Sequence, residues 1–181
     1  MLEKVGIMRD VTFSLVRSVV GELLLTSDGE ALTGLYPQTH RDLPETAGLV
    51  RDDAWFSGVR DQLDAYFRGK LNAFTVALAP RGTAFQQRVW TQLKTIPCGI
   101  TRSYAEIAEA IGRPSASRAV GAAIGRNPIS LIIPCHRVVG ASGALTGYAG
   151  GLELKKWLLA HESELEGWVP MRESSSLGLG R

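Results

Sequence analysis

Cysteine is scarce in this chain: two among 181 residues, Cys98 and Cys135. Two thiols cannot build a disulfide framework, so the sequence reads as a reduced, intracellular protein with a thiol free to react. Histidine is as sparse, with three scattered residues. Together they do not supply the short paired spacings of a four-ligand structural zinc site, and no metal or other cofactor is expected. The N-terminus has no long apolar run, which argues against a signal peptide and a membrane span. No internal repeat is visible. These absences leave a cytoplasmic protein, or a nuclear one in a eukaryotic source.

What is present is enough apolar sequence, 45%, for a real core in one moderately large domain or two small ones. The net charge of +2 says little, but its distribution says more. Residues 1–80 carry eight Lys/Arg against eleven Asp/Glu, and residues 81–181 carry twelve against seven. The second half therefore either faces a polyanion or presents an ordinary solvated surface.

Val11 to Arg17, Gly21 to Thr26 and Ala31 to Tyr36 read as short strands, with Ser27-Asp28-Gly29-Glu30 as a hairpin turn. Asp53 to Arg68 has helical spacing, with Phe56, Val59, Leu63 and Phe67 on one face and Gly69 as the stop. Asn72 to Leu78 is expected to add a strand. The coincidence of Pro80 and Gly82 with the change in charge sets a domain boundary, giving a mixed α/β N-terminal domain over 1–80. The second domain, 81–166, reads as helical. Thr83 to Gln86 and Ser103 to Glu106 are capping boxes, and Ser115 or Ser117 is expected to cap a helix from Arg118 to Ile124. A glycine-rich loop over Gly140 to Gly151 precedes a last helix through Leu154, Trp157, Leu158 and His161. Residues 167–181 read as a loosely ordered tail. The fold class is thus α/β (α+β).

The two capped helices joined by Gly112-Arg113-Pro114 have the length and turn of a helix-turn-helix. Its second helix, Arg118-Ala119-Val120-Gly121-Ala122-Ala123-Ile124, carries one arginine among small and apolar residues. Such a helix does not read base edges in the major groove. It suits either sequence-tolerant, minor-groove DNA binding with Arg118 as the polar probe, or tight packing between helices.

The sharpest feature is Pro134-Cys135-His136-Arg137, which ends the apolar run Ile129 to Ile133. The run reads as a short strand leading to the cysteine, and proline breaks it. A thiol presented there, beside a base and a cation, can be held partly as thiolate, the form that attacks electrophiles. Adjacent residues in an extended chain point to opposite faces, which disfavours a direct contact between Cys135 and His136.

Ile132 to Val138 resembles the active-site signature of the O6-alkylguanine-DNA alkyltransferases (methylated-DNA–protein-cysteine methyltransferases). Arg102-Ser103-Tyr104, Arg118-Ala119-Val120-Gly121 with Asn127-Pro128, and Gly147-Tyr148-Ala149-Gly150-Gly151 resemble further blocks of that family in the right order. The likeness is dense over residues 80 to 162, and residues 1–80 fit only in outline. It implies single-turnover transfer of an alkyl group from O6-alkylguanine in double-stranded DNA to Cys135, by a monomer that flips the damaged nucleotide out of the duplex. It further implies His136 as a base reached through water and oriented by Glu162, and Asn127 as the tie between the helix-turn-helix and the cysteine. Tyr104 would donate a proton to the leaving base, and Arg118 would fill the vacated stack. Ser103, Tyr104, Ala119, Gly121 and Ala122 would line the DNA, and Tyr148, Gly150 and Val138 the alkyl pocket.

Each residue has a plainer alternative: a solvated helix-end Glu162, a turn-forming Asn127, a surface Tyr104, a phosphate-binding Arg118 and a flexible linker around Tyr148. Cys98 stands where the family often has an aromatic residue and reads as a packing residue. Residues 1–80 hold no cysteine, which argues against an N-terminal zinc site or a second nucleophile. Two other functions compete. A damage-sensing module would lack the reactive cysteine, and a cysteine hydrolase would need an oxyanion site for which the sequence offers no residues.

Overall fold

The computed structural model describes residues 12–165; the expected tail over 167–181 lies outside them. Three strands, β1 (Thr12–Ser18), β2 (Gly21–Ser27) and β3 (Leu32–Pro37), form an antiparallel meander. A two-residue strand, β4 (Val50–Arg51), joins β1 in parallel, so the sheet order is β3-β2-β1-β4. Leu23, Leu24 and Leu25 are all buried, as a central strand covered on both faces requires. Helix α1 (Ser57–Phe67) packs on it through Val59, Leu63 and Tyr66, spaced i, i+4, i+7. The helix starts four residues later than the sequence suggests, and Tyr66 rather than Phe67 completes the buried face.

The strand expected over 72–78 is not formed. Leu78 makes one parallel bridge to Leu32, and the Leu32 N–H donates to Ala77 O while its carbonyl accepts from Ala79 N. The remainder is a covering segment.

Helices α2 (Ala84–Leu93) and α3 (Tyr104–Ala110) both open on complete capping boxes, at Thr83/Gln86 and Ser103/Glu106. Strand β5 (Arg102–Ser103) runs directly into α3 and pairs in parallel with β6 (Val138–Val139). Helix α4 (Ser117–Ile124) completes the helix-turn-helix. Neither Ser115 nor Ser117 caps it: a 3-10 turn, Pro114–Ala116, feeds straight in, and the N-cap is Ala116 without a side-chain bond. The chain ends its described course in α5 (Leu152–Ser163).

The mixed α/β class expected from sequence is the one found, but the two halves share one core. Leu35 and Phe56 from the sheet side bury in the same cluster as Val89, Trp90, Val120 and Ile133. The apolar run before Cys135 is not a strand either. Ile129 makes a single parallel bridge to Leu35, after which the backbone turns, with Leu131 at a φ of 66°. Among the described residues no helix is long and apolar enough to cross a membrane.

Candidate functional site

The turn that presents Cys135 is built by Asn127. Its side-chain amide donates to Ile129 O (3.3 Å), Ile133 O (2.8 Å) and Cys135 Sγ (3.1 Å), while its Oδ1 accepts from Ile129 N (3.0 Å). Strand β3 anchors the same segment: Leu35 N donates to Pro128 O, and Ser130 N donates to Leu35 O, both at 2.9 Å. A buried asparagine commits both amide hydrogens and its carbonyl oxygen to this one segment, which fixes the thiol in place. Cys135 then opens a 3-10 turn, Cys135–Arg137.

Because the segment curls rather than extends, His136 and Arg137 both turn inward and meet Glu162 of α5. The Glu162 carboxylate is entirely buried and accepts five hydrogen bonds. Oε1 takes Tyr66 OH (2.8 Å), His136 Nε2 (2.9 Å) and Arg137 Nη2 (2.8 Å); Oε2 takes Arg137 Nε (2.8 Å) and Gly99 N (3.0 Å). Arg137 Nη1 donates to Ile96 O. Burial alone would raise the Glu162 carboxyl, but its bonds to His136 and Arg137 outweigh this and hold it well below the usual carboxylate range. Burial lowers His136, so the imidazole is neutral at neutral pH. A neutral ring that faces a carboxylate through Nε2 carries its proton there. Nδ1 is then the basic atom, and it is buried without a protein partner.

The thiol departs from the expectation. Cys135 is 4% exposed, and burial pushes its thiol up despite the Asn127 bond, which lowers it. The resting sulfur is therefore a thiol, not a partial thiolate, and chemistry there requires a base at the moment of reaction. Cys135 and His136 make no direct hydrogen bond, as the sequence suggests, though the reason is the 3-10 turn and not strand alternation.

The residues expected to wall the alkyl pocket lie close to this network. Tyr148 has a buried hydroxyl beside Ser130 and Cys135, and burial, then the neighbouring Cys135, raises its phenol. A Cβ on Gly150 would lie 2.9 Å from the Tyr148 ring and 3.0 Å from Leu154, so the glycine lets this loop close over the tyrosine. Val138 is buried, and its carbonyl accepts from Lys155 Nζ (2.6 Å), which also donates to Thr146 O (2.8 Å).

The residues expected to line DNA stand apart from the buried network. Arg118, Ala119 and Ala122 are exposed on α4, whereas Val120, Ala123 and Ile124 face the core. Gly121 backs onto Tyr104, whose ring would sit 3.6 Å from an added Cβ. Small residues on this helix thus lie on both sides, Ala119 and Ala122 towards solvent and Ala123 against the core. The Ser103 hydroxyl is engaged as the α3 cap, accepting from Glu106 N at 3.2 Å. Tyr104 OH reaches Thr146 of the pocket loop, accepting from its hydroxyl at 3.3 Å. Cys98 is half-buried, and burial, then Glu162, pushes its thiol up to about 11.

Sequence reasoning missed Tyr66, Arg137 and Lys155 as parts of the site. Arg137 sits within the cysteine motif and had a signal. Tyr66 and Lys155 lie in ordinary helical patterns, which carry no sign of a buried polar partner.

Family models match both halves. Residues 11–80 match the ribonuclease-like domain, and residues 84–164 the DNA-binding domain, of 6-O-methylguanine DNA methyltransferase. The methylated-DNA–protein-cysteine methyltransferase of Mycobacterium tuberculosis is 51% identical over 152 residues, covering 84% of this chain and 92% of the relative. Its namesake from Methanosarcina acetivorans is 48% identical over 151 residues, covering 83% and 97%. Among solved structures, Mycobacterium tuberculosis OGT in complex with DNA matches at a TM-score of 0.80 and 51% identity, over 84% of this chain and 92% of that one.

Proposed function

From the premise that this chain belongs to the 6-O-methylguanine DNA methyltransferase family, we infer that it repairs DNA by moving an alkyl group from O6 of guanine to Cys135. The observation that carries this reading is the joint placement of Cys135 Sγ on Asn127 and of neutral His136, with a free Nδ1, on the buried Glu162–Arg137 pair. A thiol with a raised pKa needs that base. A water between Sγ and Nδ1 would relay the proton, since the site is polar and buried. Glu162, kept anionic by Arg137, stabilises the imidazolium that forms.

The thiolate then attacks the alkyl carbon: the C–S bond forms, the C–O bond breaks, and its electron pair goes to the guanine. Tyr104 supplies a proton towards the departing base and recovers it from the solvent. Tyr148, Gly150 and Val138 wall the alkyl pocket. The product thioether is a poor leaving group, so each molecule acts once.

The target base lies inside a duplex, and extrusion costs a few kcal/mol. The exposed face of α4, with Arg118 at its start and Ala119 and Ala122 along it, suits close, sequence-tolerant approach through the minor groove. Tyr104, Ser103 and Gly121 form the floor beneath that face.

Peptide mass spectrometry after incubation with excess O6-methylguanine duplex tests the reading. One methyl group on the Cys135 peptide, with repair stopping at one equivalent, is expected, and Cys135→Ala abolishes it. Stoichiometric repair by that variant would refute the assignment. Lesion binding without any adduct would favour a damage sensor.

A further inference from the structure

Arg41 belongs to the acidic N-terminal half, yet its guanidinium reaches across to the recognition helix. Nη2 donates to Gly125 O, the C-cap of α4, at 2.6 Å. A Cβ at position 125 would lie 3.0 Å from that nitrogen, so glycine leaves the space the guanidinium occupies. The backbone of the same residue is also tied: Arg41 N donates to Ala149 O at 3.1 Å, and Thr39 Oγ1 donates to Gly150 O at 2.7 Å. The arginine is therefore held in place at the helix end.

It is also open to a ligand. The side chain is 59% exposed, and its only carboxylate partner among the described residues is Asp42, through Nε at 3.3 Å. A guanidinium has five N–H donors, and three of these are left over. Arg118, Ala122 and Gly125 lie at i, i+4 and i+7, one row along the helix surface. Arg118 and the Arg41 guanidinium thus stand at opposite ends of the exposed stripe, about 10 Å apart along the axis. Exposed Arg126 flanks the second end.

We propose that Arg41 is a DNA phosphate contact, supplied by the N-terminal half, that completes the interface at the C-terminal end of α4. The proposal rests on the reading of α4 as the DNA-facing helix. An exposed pair such as Arg41–Asp42 is weak, so a phosphate oxygen can displace the carboxylate. The alternative role is a plain tie on the last carbonyls of a helix, which a cation also favours.

The two roles separate in a salt titration. Binding of wild type, Arg41→Ala, Arg41→Lys, Asp42→Asn and Arg118→Ala to a fluorescent duplex is followed by anisotropy across a series of NaCl concentrations, with unfolding temperature as the fold control. Each phosphate contact adds about 0.9 to the slope of log K against log salt. Arg41→Ala is expected to reduce that slope by about 1, Arg41→Lys to retain it, and Asp42→Asn to tighten binding. If Arg118→Ala weakens binding while Arg41→Ala and Asp42→Asn match wild type, the proposal is wrong and α4 binds DNA without Arg41. If wild type binds no duplex, the DNA-facing reading itself fails. Should Arg41→Ala not fold, Arg41→Gln decides in its place: it keeps an N–H donor for the Gly125 carbonyl but loses the charge, so a slope equal to wild type would refute the proposal.

Discussion

Glu162 places one negative charge among five donors in a site closed to solvent, and Arg137 is its permanent counter-charge. Glu162→Gln removes that charge and turns an amide N–H₂ towards two of the existing donors. A buried arginine left without its partner costs about 3–5 kcal/mol. The variant should lose stability of that order in urea unfolding and lose reaction with free benzylguanine, because His136 is no longer held with Nδ1 basic. Near-wild-type alkylation would remove Glu162 from the mechanism.

The same residues set a pH window. Glu162 titrates below its ordinary 4.5, so its contribution is present above that value and is lost as pH falls through the folded one. His136, lowered from 6.5 by burial, must charge in the unfolded chain first, so stability also falls below pH 6.5. Cys135, raised above 9.0 by burial, contributes below that value and loses its contribution as pH rises through the raised one. The unfolding temperature should therefore form a plateau between about pH 6.5 and 9 and fall on both sides. A rise on acidification below pH 6 would contradict these assignments.

At the scale of elements, Leu131 is the position where the turn before the cysteine is most constrained. Its φ of 66° costs a residue with a Cβ about 1–2 kcal/mol. Glycine relieves that strain, but Leu131 is only 1% exposed, and removing such a side chain costs about 2–5 kcal/mol. Packing wins, so Leu131→Gly should be net destabilising by about 1–3 kcal/mol in chemical denaturation. A stabilised variant would mean that strain dominates.

This turn also marks where sequence reading stopped. The run Ile-Ser-Leu-Ile-Ile has strand composition, and nothing local opposes that reading. What overrides it is Asn127, bonded to three atoms further along, and Leu35, bonded on either side from nearly a hundred residues away. The capping boxes at Thr83 and Ser103 were legible because every bond in them spans three residues. Ser115 and Ser117 carried the same signal, but the 3-10 turn from Pro114 supplied the helix start without them. The site divides likewise. Cys135 and His136 stand out in one short motif and Asn127 and Glu162 only through the family resemblance, whereas Tyr66 and Lys155 acquire their partners only through packing.

For the whole molecule, the boundary at residue 80 separates two sequence styles but not two cores. Strand β3 is hydrogen-bonded to the segment that carries Cys135, Tyr66 of α1 bonds to Glu162 of α5, and His161 Nε2 bonds to Tyr66 O at 2.8 Å. Leu23, Leu35 and Phe56 bury in one cluster with Trp90, Ile133 and Leu158. Opening either half would expose buried apolar surface and take the Tyr66 hydroxyl away from the buried Glu162. Calorimetry of the full chain should thus give one transition, with calorimetric and van't Hoff enthalpies equal. Reactivity of Cys135 towards benzylguanine should vanish over the same interval as the Tyr66-side structure melts. Two separated transitions, with Cys135 still reactive after the first, would mean that the N-terminal sheet is dispensable for presenting the thiol. The bonds from Leu35 to Pro128 and Ser130 argue that it is not: a strand nearly a hundred residues earlier in the chain is the one against which the reactive turn is formed.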